Sequence, residues 1–215
     1  METAYEIIQR ALRPRRRAKL LSVLDRRLGA VRVVVENLHH PHNMSAVLRS
    51  CEALGVQHVH AVESREAFCV SRGVTLGAHK WLTLHRHDTF AACARELQGR
   101  GFRLYAALLA PDAVALEEIP VDEPTALVFG NEKEGVSSEA RALCDGAYTI
   151  PMEGFVQSFN ISVAAAISLY SFTRRVRTQR PDGGLLTEAE KEQILEGWLP
   201  KSLRCGRRVA RAVGR

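Results

Sequence analysis

Three polar loops in this sequence, each flanked by apolar runs, carry the side chains that could do chemistry. The first runs from Glu36 to Arg49 and places Asn43 and Arg49 six residues apart. If Asn43 caps a helix and Arg49 lies in its second turn, backbone N–H groups and a guanidinium face one anionic group such as a phosphate. Each residue also has an ordinary use, Asn43 as a plain cap and Arg49 in a surface ion pair. The same loop holds His39, His40 and His42. Helical metal sites use histidines four apart, and no cysteine or carboxylate cluster completes a set here, so no metal is expected.

The second loop, Gly130-Asn131-Glu132-Lys133-Glu134-Gly135-Val136-Ser137, superficially resembles a phosphate-binding P-loop. Val136 occupies the position where that motif needs lysine, and two carboxylates inside the loop would repel a triphosphate. An acidic glycine turn suits a neutral or cationic ligand bearing hydroxyls and amino groups. The third loop runs from Ile150 through Met152, Gly154, Gln157, Ser158, Phe159 and Asn160 into the alanine-rich stretch Val163–Ile167. Strand, turn and helix start are compressed there, with Ser158 or Asn160 near the helix N-terminus.

The elements that must position these loops can be read from periodicity and punctuation. Helices are expected over Ala4–Leu12 and Arg15–Leu28, the second with Leu20, Leu21, Leu24 and Leu28 at helical spacing and Gly29 as stop. A β-branched run, Val31–Val35, has the character of a buried parallel strand. A helix over Ser45–Leu54 follows, ended by Gly55. Further strands are expected at His58–Val62, Trp81–His85, Arg103–Leu109, Ala126–Phe129 and Tyr148–Met152. The helices between and after them cover Asp88 or Thr89 to Gly99, Ser138–Cys144 and Ser158–Arg174. This alternation implies an α/β domain with a mainly parallel sheet. In such sheets ligands sit beyond the carboxyl ends of the strands, where all three loops fall. After Pro181-Asp182-Gly183-Gly184, Thr187-x-x-Glu190 is a capping box for one more helix.

Charge separates the chain into three parts. Residues 1–32 hold nine Lys/Arg and three acids, residues 174–215 eleven and five, each a net +6; the segment between is net −6. Of thirty basic residues twenty-five are arginine, the side chain suited to bidentate phosphate contacts and base stacking. An acidic body with two basic ends points to a nucleic-acid partner, although solvated helix faces carry such charge too. Five scattered cysteines without a C-x-x-C pair argue against disulfides and zinc. No apolar run reaches ~20 residues and no signal-peptide core is present, so no membrane is expected and the cytoplasm is the expected location.

Together, Asn43-x-x-x-x-x-Arg49, Phe129-Gly130-x-Glu132-x-x-Gly135-Val136 and Ile150-Pro151-Met152-x-Gly154-x-x-x-Ser158-x-Asn160 resemble the three ordered motifs of the SpoU (TrmH) family of SPOUT RNA methyltransferases. The resemblance is close over Val31–Tyr170. More loosely, Lys80-Trp81, Glu132-Lys133 and the basic flanks are similar to the subgroup that methylates guanosine 18 of tRNA. The resemblance implies a Rossmann-like, mainly parallel sheet with a C-terminal deep trefoil knot at residues 31–173. It also implies helical extensions at 1–30 and 174–215, a homodimer with the site completed across its interface, S-adenosylmethionine as methyl donor, and tRNA as substrate.

By matching position, the resemblance makes Arg49 the central catalytic residue. Asn43 organises the first motif, Glu132 supports the site, and Ser158 and Asn160 line it. Ala107, Gly130, Ile150, Met152, Ser158, Phe159 and Asn160 would hold the donor; Phe159 departs from the family's usual leucine. RNA contacts fall on Arg16, Lys19, Arg27, His42 and Arg174, with Arg175 or Arg177 standing in where Val176 occupies a further such position. A guanidinium is effectively always charged, so a phosphate clamp by Arg49 is physically easier than the family's general-base role. Ribosomal RNA as substrate and a non-catalytic RNA-binding module are the competing expectations. The first strand lacks a following G-x-G-x-x-G, which disfavours a nicotinamide dehydrogenase.

Overall fold

The computed structural model describes residues 4–38, 40–63, 75 and 77–202. Cys69, Cys205 and His39 lie outside them. The chain divides into two compact units, one made of residues 28–184 and the other of the two ends, residues 1–27 and 185–215. The boundaries expected at 30/31 and 173/174 move because the first strand starts at Leu28 and the helix through Arg174 continues to Gln179.

In the larger unit, strands β1 (Leu28–Glu36), β2 (Val56–Val62), β3 (Thr83–His87), β4 (Arg103–Ala107), β5 (Val114–Ala115), β6 (Thr125–Phe129) and β7 (Gly146–Thr149) form one sheet. Their order is β3-β2-β1-β6-β4-β7-β5, and every pairing is parallel. The mainly parallel α/β architecture expected from sequence is therefore present. Central strands are buried on both faces, which explains their apolar runs, broken in β1 only by Arg32, whose guanidinium lies 5.0 Å from the Phe102 ring. Val33, Val35, Leu127 and Phe129 join one core with helices α3 (Pro41–Leu54) and α6 (Ile161–Gln179). Val34, Ala126 and Val128 point the other way into a second core with α4 (Phe90–Gly99) and Ala140 of α5 (Ser138–Leu143).

Several boundaries differ from expectation for local reasons. Helix α2 (Pro14–Leu24) ends four residues early, because Leu28 is a strand residue paired with Val56 and fully buried in the sheet. Its spacing from Leu24 imitates a helix. Strand β3 starts two residues late because Ala78–Trp81 forms a 3-10 turn, and the Gln57 side chain donates to the Trp81 carbonyl at 3.1 Å. The two-residue β5 has no periodicity to betray it.

In the smaller unit, α1 (Ala4–Ala11) and α2 accompany α7 (Glu188–Ser202). The expected capping box is formed: Thr187 N donates to Glu190 Oε2 at 2.8 Å and Glu190 N to Thr187 Oγ1 at 3.3 Å. Lys191 bridges Glu188 at 2.6 Å and Asp25 at 3.5 Å. Among the described residues, no helix is long and apolar enough to cross a membrane.

Candidate functional site

The three loops converge at the carboxyl end of the sheet. Strand β6 delivers Gly130 into a turn closed by a bridge between Asn131 and Gly135, with backbone hydrogen bonds of 3.0 and 3.1 Å. Asn131 Oδ1 accepts from Lys133 N at 2.9 Å and Glu134 N at 2.7 Å, holding the turn from inside. Gly130 is obligatory, since a Cβ there would lie 1.9 Å from the Gly135 carbonyl carbon. Gly135 itself adopts φ +71°, a left-handed conformation that favours glycine.

At the end of β1, the buried Glu36 carboxylate accepts from Ser137 N at 2.9 Å and Ser137 Oγ at 2.6 Å. This clamp locks the exit of the second loop to the first and was missed in the sequence. Its visible signal is a lone carboxylate closing an apolar strand. The next residue, Asn37, is buried with φ +48°.

Asn43 is not a helix cap. Pro41 occupies the first turn of α3, whose N-cap is His40, so Asn43 already lies inside the helix. Its amide instead joins all three loops: Nδ2 donates to Glu132 Oε1 at 2.7 Å, and Oδ1 accepts from Asn160 Nδ2 at 3.3 Å. Asn160 is the cap of α6, its Oδ1 accepting from Ser162 N at 2.9 Å and Ser162 Oγ at 2.6 Å. Glu132 also accepts from His40 N at 3.4 Å. The anion at this helix N-terminus is therefore a protein carboxylate, correcting the expectation of a phosphate there.

Beside this junction lies a cleft of about 510 Å³, within the range of small-molecule sites. Ala107, Gly130, Ile150, Met152, Ser158, Phe159 and Asn160, all expected to hold a donor, line it, as does Glu132. Leu108 lines it beside Ala107, and so do Gln157 and Tyr148, two residues the motifs did not mark as ligand-binding. Its apolar wall could take a planar base, while the Glu132 and Glu134 carboxylates favour a cationic group. Tyr148 is fully buried, donates to Ser168 Oγ at 3.0 Å, and has its hydroxyl pKa raised by burial. It is a wall rather than an acid or base. Burial likewise pushes the Cys144 thiol up to about 12, removing it as a nucleophile.

Arg49 stands apart. It is exposed on α3, is not among the cleft-lining residues, and bonds or pairs with no described side chain. His42 is exposed as well.

Among the residues expected to touch RNA, Arg16 and Lys19 are exposed on α2, and exposed Arg174 stacks its guanidinium 5.7 Å from the Tyr170 ring. Two expected contacts are not available to RNA in this structure. Arg27 is 1% exposed, its guanidinium over Trp198 at 5.4 Å, so it is an interior cation. Arg175 spends its guanidinium on the carbonyls of Leu116 at 3.1 Å and Ile119 at 2.6 Å. Arg177, the substitute beside it, donates to the Leu54 carbonyl at 3.2 Å.

Comparison with known proteins follows the same lines. The profile of the SpoU rRNA Methylase family matches residues 30–170. A tRNA (guanosine(18)-2′-O)-methyltransferase of Thermus thermophilus is 43% identical over 187 residues, 86% of this chain and 96% of that protein. Its Escherichia coli counterpart is 36% identical over 197 residues, covering 88% and 84%. The crystal structure of the Aquifex aeolicus TrmH/SpoU tRNA modifying enzyme superposes with a TM-score of 0.77 at 34% identity, covering 86% of this chain and 95% of that one.

Proposed function

This chain belongs to the SpoU rRNA methylase family, and we propose that it methylates the ribose 2′-hydroxyl of guanosine 18 in tRNA, using S-adenosylmethionine. The observation that carries the proposal is the Asn43–Glu132–Asn160 junction, which ties the three family motifs together at the rim of a nucleoside-sized cleft. Relatives named for guanosine 18 cover most of the chain at 36–43% identity, which favours tRNA over ribosomal RNA as substrate.

The cleft fits the donor in both size and chemistry. Ala107, Leu108, Ile150 and Met152 offer an apolar wall, and Glu132 and Glu134 a negative field suited to a sulfonium. When bound, S-adenosylmethionine supplies a methyl group whose leaving group is a neutral thioether. The protein then has to align the acceptor oxygen, which in well-oriented systems is worth about 7–11 kcal/mol. The Asn160 cap and the glycine turn hold the rim rigid, and Ser158 and Phe159 shape its mouth. Arg49 grips the phosphate next to the target ribose and offsets negative charge growing on the 2′-oxygen, while the hydroxyl proton leaves to that phosphate or to water. A permanently charged guanidinium suits such a clamp.

The reading includes a homodimer, a trefoil-knotted donor site, as in the family, and a cytoplasmic location. Exposed Phe155, Val156, Phe159, Val163 and Tyr170 near the third loop and the start of α6 support an interface there, and Arg49 outside the cleft supports a site completed by a second subunit. Arg16, Lys19, His42 and Arg174 would grip the RNA. Incubating the protein with labelled donor and tRNA is expected to yield a nuclease-resistant 2′-O-methyl product. A protein that binds tRNA and transfers no methyl to any RNA would instead be a non-catalytic module.

A further inference from the structure

Away from the cleft, at the β3 edge of the sheet, four histidines alternate on two adjacent parallel strands. His58 and His60 of β2 face His85 and His87 of β3. Their rings stack: His60 lies 4.3 Å from His85 and 5.2 Å from His87, nearly parallel to both. His58 Nδ1 meets His85 Nε2 at 3.0 Å, and His60 Nδ1 meets His87 Nε2 at 2.9 Å. Helix α4 covers the cluster and contributes Cys93 and, one turn on, Glu96. Ligand atoms of His60, His87 and Cys93 all lie within 4.8 Å of one another, as do those of His60, His85 and Glu96.

The first of these triads is buried throughout, and His60 is 1% exposed with Nε2 lacking any hydrogen-bond partner. A buried imidazole nitrogen without a partner carries a desolvation cost that a sheet could avoid with valine, the residue used at neighbouring positions. Metal coordination by the imidazole offsets that cost. We propose that His60, His87 and Cys93 bind a tetrahedral transition-metal ion of the zinc type, which ties the edge strand β3 and helix α4 to β2.

The donor chemistry is that of zinc: two imidazoles and a thiolate, with the fourth position open to water. Bond lengths of about 2.0–2.3 Å place tetrahedral donors roughly 3.3–3.7 Å apart, so the cluster needs only small shifts to close on an ion. Coordination breaks the His60–His87 hydrogen bond and releases the Cys93 thiol proton to solvent. Each imidazole ligates as the neutral form, with its remaining proton on the other nitrogen.

The groups facing the cluster act in both directions. Burial first, with Arg32 and neighbouring histidines, holds His60 at about 2, so it presents a neutral imidazole across the physiological range. Burial pushes the Cys93 thiol up to about 12, with Glu96 and Cys144 adding to the rise. Arg32 of β1 and Arg100, the latter paired with Glu96 at 3.2 Å, oppose a dication. The thiolate formed on binding and the Glu96 carboxylate counter them. Affinity must fall as pH drops, because the thiol proton competes with the ion.

Sequence reading did not find the site because it weighed only the clustered His39, His40 and His42. The strand histidines are 27 residues apart and become neighbours only through parallel pairing. The site takes no part in methyl transfer and does not rest on the proposed function.

The test is a titration of the full-length protein, first stripped with chelator, by Co²⁺ and then Zn²⁺. One equivalent of Co²⁺ is expected to give intense tetrahedral bands and a thiolate-to-cobalt charge-transfer absorption, bleached by Zn²⁺, with a rise in melting temperature. Cys93→Ser and His87→Asn should each weaken Zn²⁺ binding by at least about 100-fold, since even outer-shell partners are worth 10–100-fold. The double variant His40→Ala/His42→Ala should bind as the parent does. If either core variant fails to fold, the spectrum of the unaltered protein still decides. No charge-transfer band at about 1 mM Co²⁺, or a band that survives in folded Cys93→Ser, would overturn the assignment.

Discussion

The two basic ends of the chain have equal net charge, but the described cations of α2 and of the end of α6 are used differently. On α2, the side chains of Arg15, Arg16 and Lys19 are exposed and bond with no described residue. Of the arginines along the end of α6, only Arg174 is exposed. Arg175 and Arg177 cap interior carbonyls, and Arg180 holds Asp182 through two bonds and donates to the Asp122 carbonyl at 2.7 Å. Equal charge therefore does not mean equal availability to a polyanion. Arg15, Arg16 and Lys19 are placed to release counterions from phosphates. Those of α6 satisfy backbone groups that would otherwise be buried without partners.

Variants can break or sharpen this contrast. The largest effect is expected outside both segments, at the guanidinium proposed to act in catalysis. Arg49→Ala should lower single-turnover methyl transfer by about 10²–10³ while leaving donor affinity, read by calorimetry, unchanged. Next, Arg16→Ala/Lys19→Ala should weaken tRNA binding and reduce the slope of log affinity against log salt by about 2, with the melting temperature unmoved. Arg175→Ala should do the reverse. It strands the Leu116 and Ile119 carbonyls, so denaturant unfolding should show a loss of about 1–3 kcal/mol, while salt-dependent tRNA binding stays intact. If Arg175→Ala lowered the salt slope and Arg16→Ala/Lys19→Ala did not, the contrast would be inverted.

The smallest and broadest effect is acid sensitivity at the sheet edge. Burial holds His60 near 2 when folded, whereas the unfolded chain titrates near the ordinary imidazole value of 6.5. The unfolded chain thus binds the proton first, so stability is full above about 6.5 and declines as pH falls below it. One such histidine contributes a slope of up to about 1.4 kcal/mol per pH unit. His60→Gln should flatten the decline in metal-free protein, as measured by urea unfolding between pH 6.5 and 5.

Much of the fold was legible because buried parallel strands announce themselves. Ala126–Phe129 is apolar on both faces, Val31–Val35 is so except for buried Arg32, and Gly55 and the Thr187–Glu190 box punctuate helices where expected. The site was legible through motif residues whose types are constrained by close approach, above all Gly130. What stayed hidden depends on contacts distant in sequence. Asn43 bonds to residues 89 and 117 positions away, and its role as a junction has no local signal. Arg27 and Arg175 carry the charge of RNA-binding residues, and only the fold shows one buried over Trp198 and the other donating to interior carbonyls.

The central claim, donor-dependent ribose methylation of tRNA by the three-loop cleft, is tested most directly by mapping the product. Unmodified tRNA is treated with the protein and isotopically labelled S-adenosylmethionine, digested, and read nucleotide by nucleotide by mass spectrometry. A single labelled 2′-O-methyl group at guanosine 18, absent with Arg49→Ala, is the predicted result. Label on a base, on ribosomal RNA alone, or on tRNA irrespective of Arg49 would contradict it.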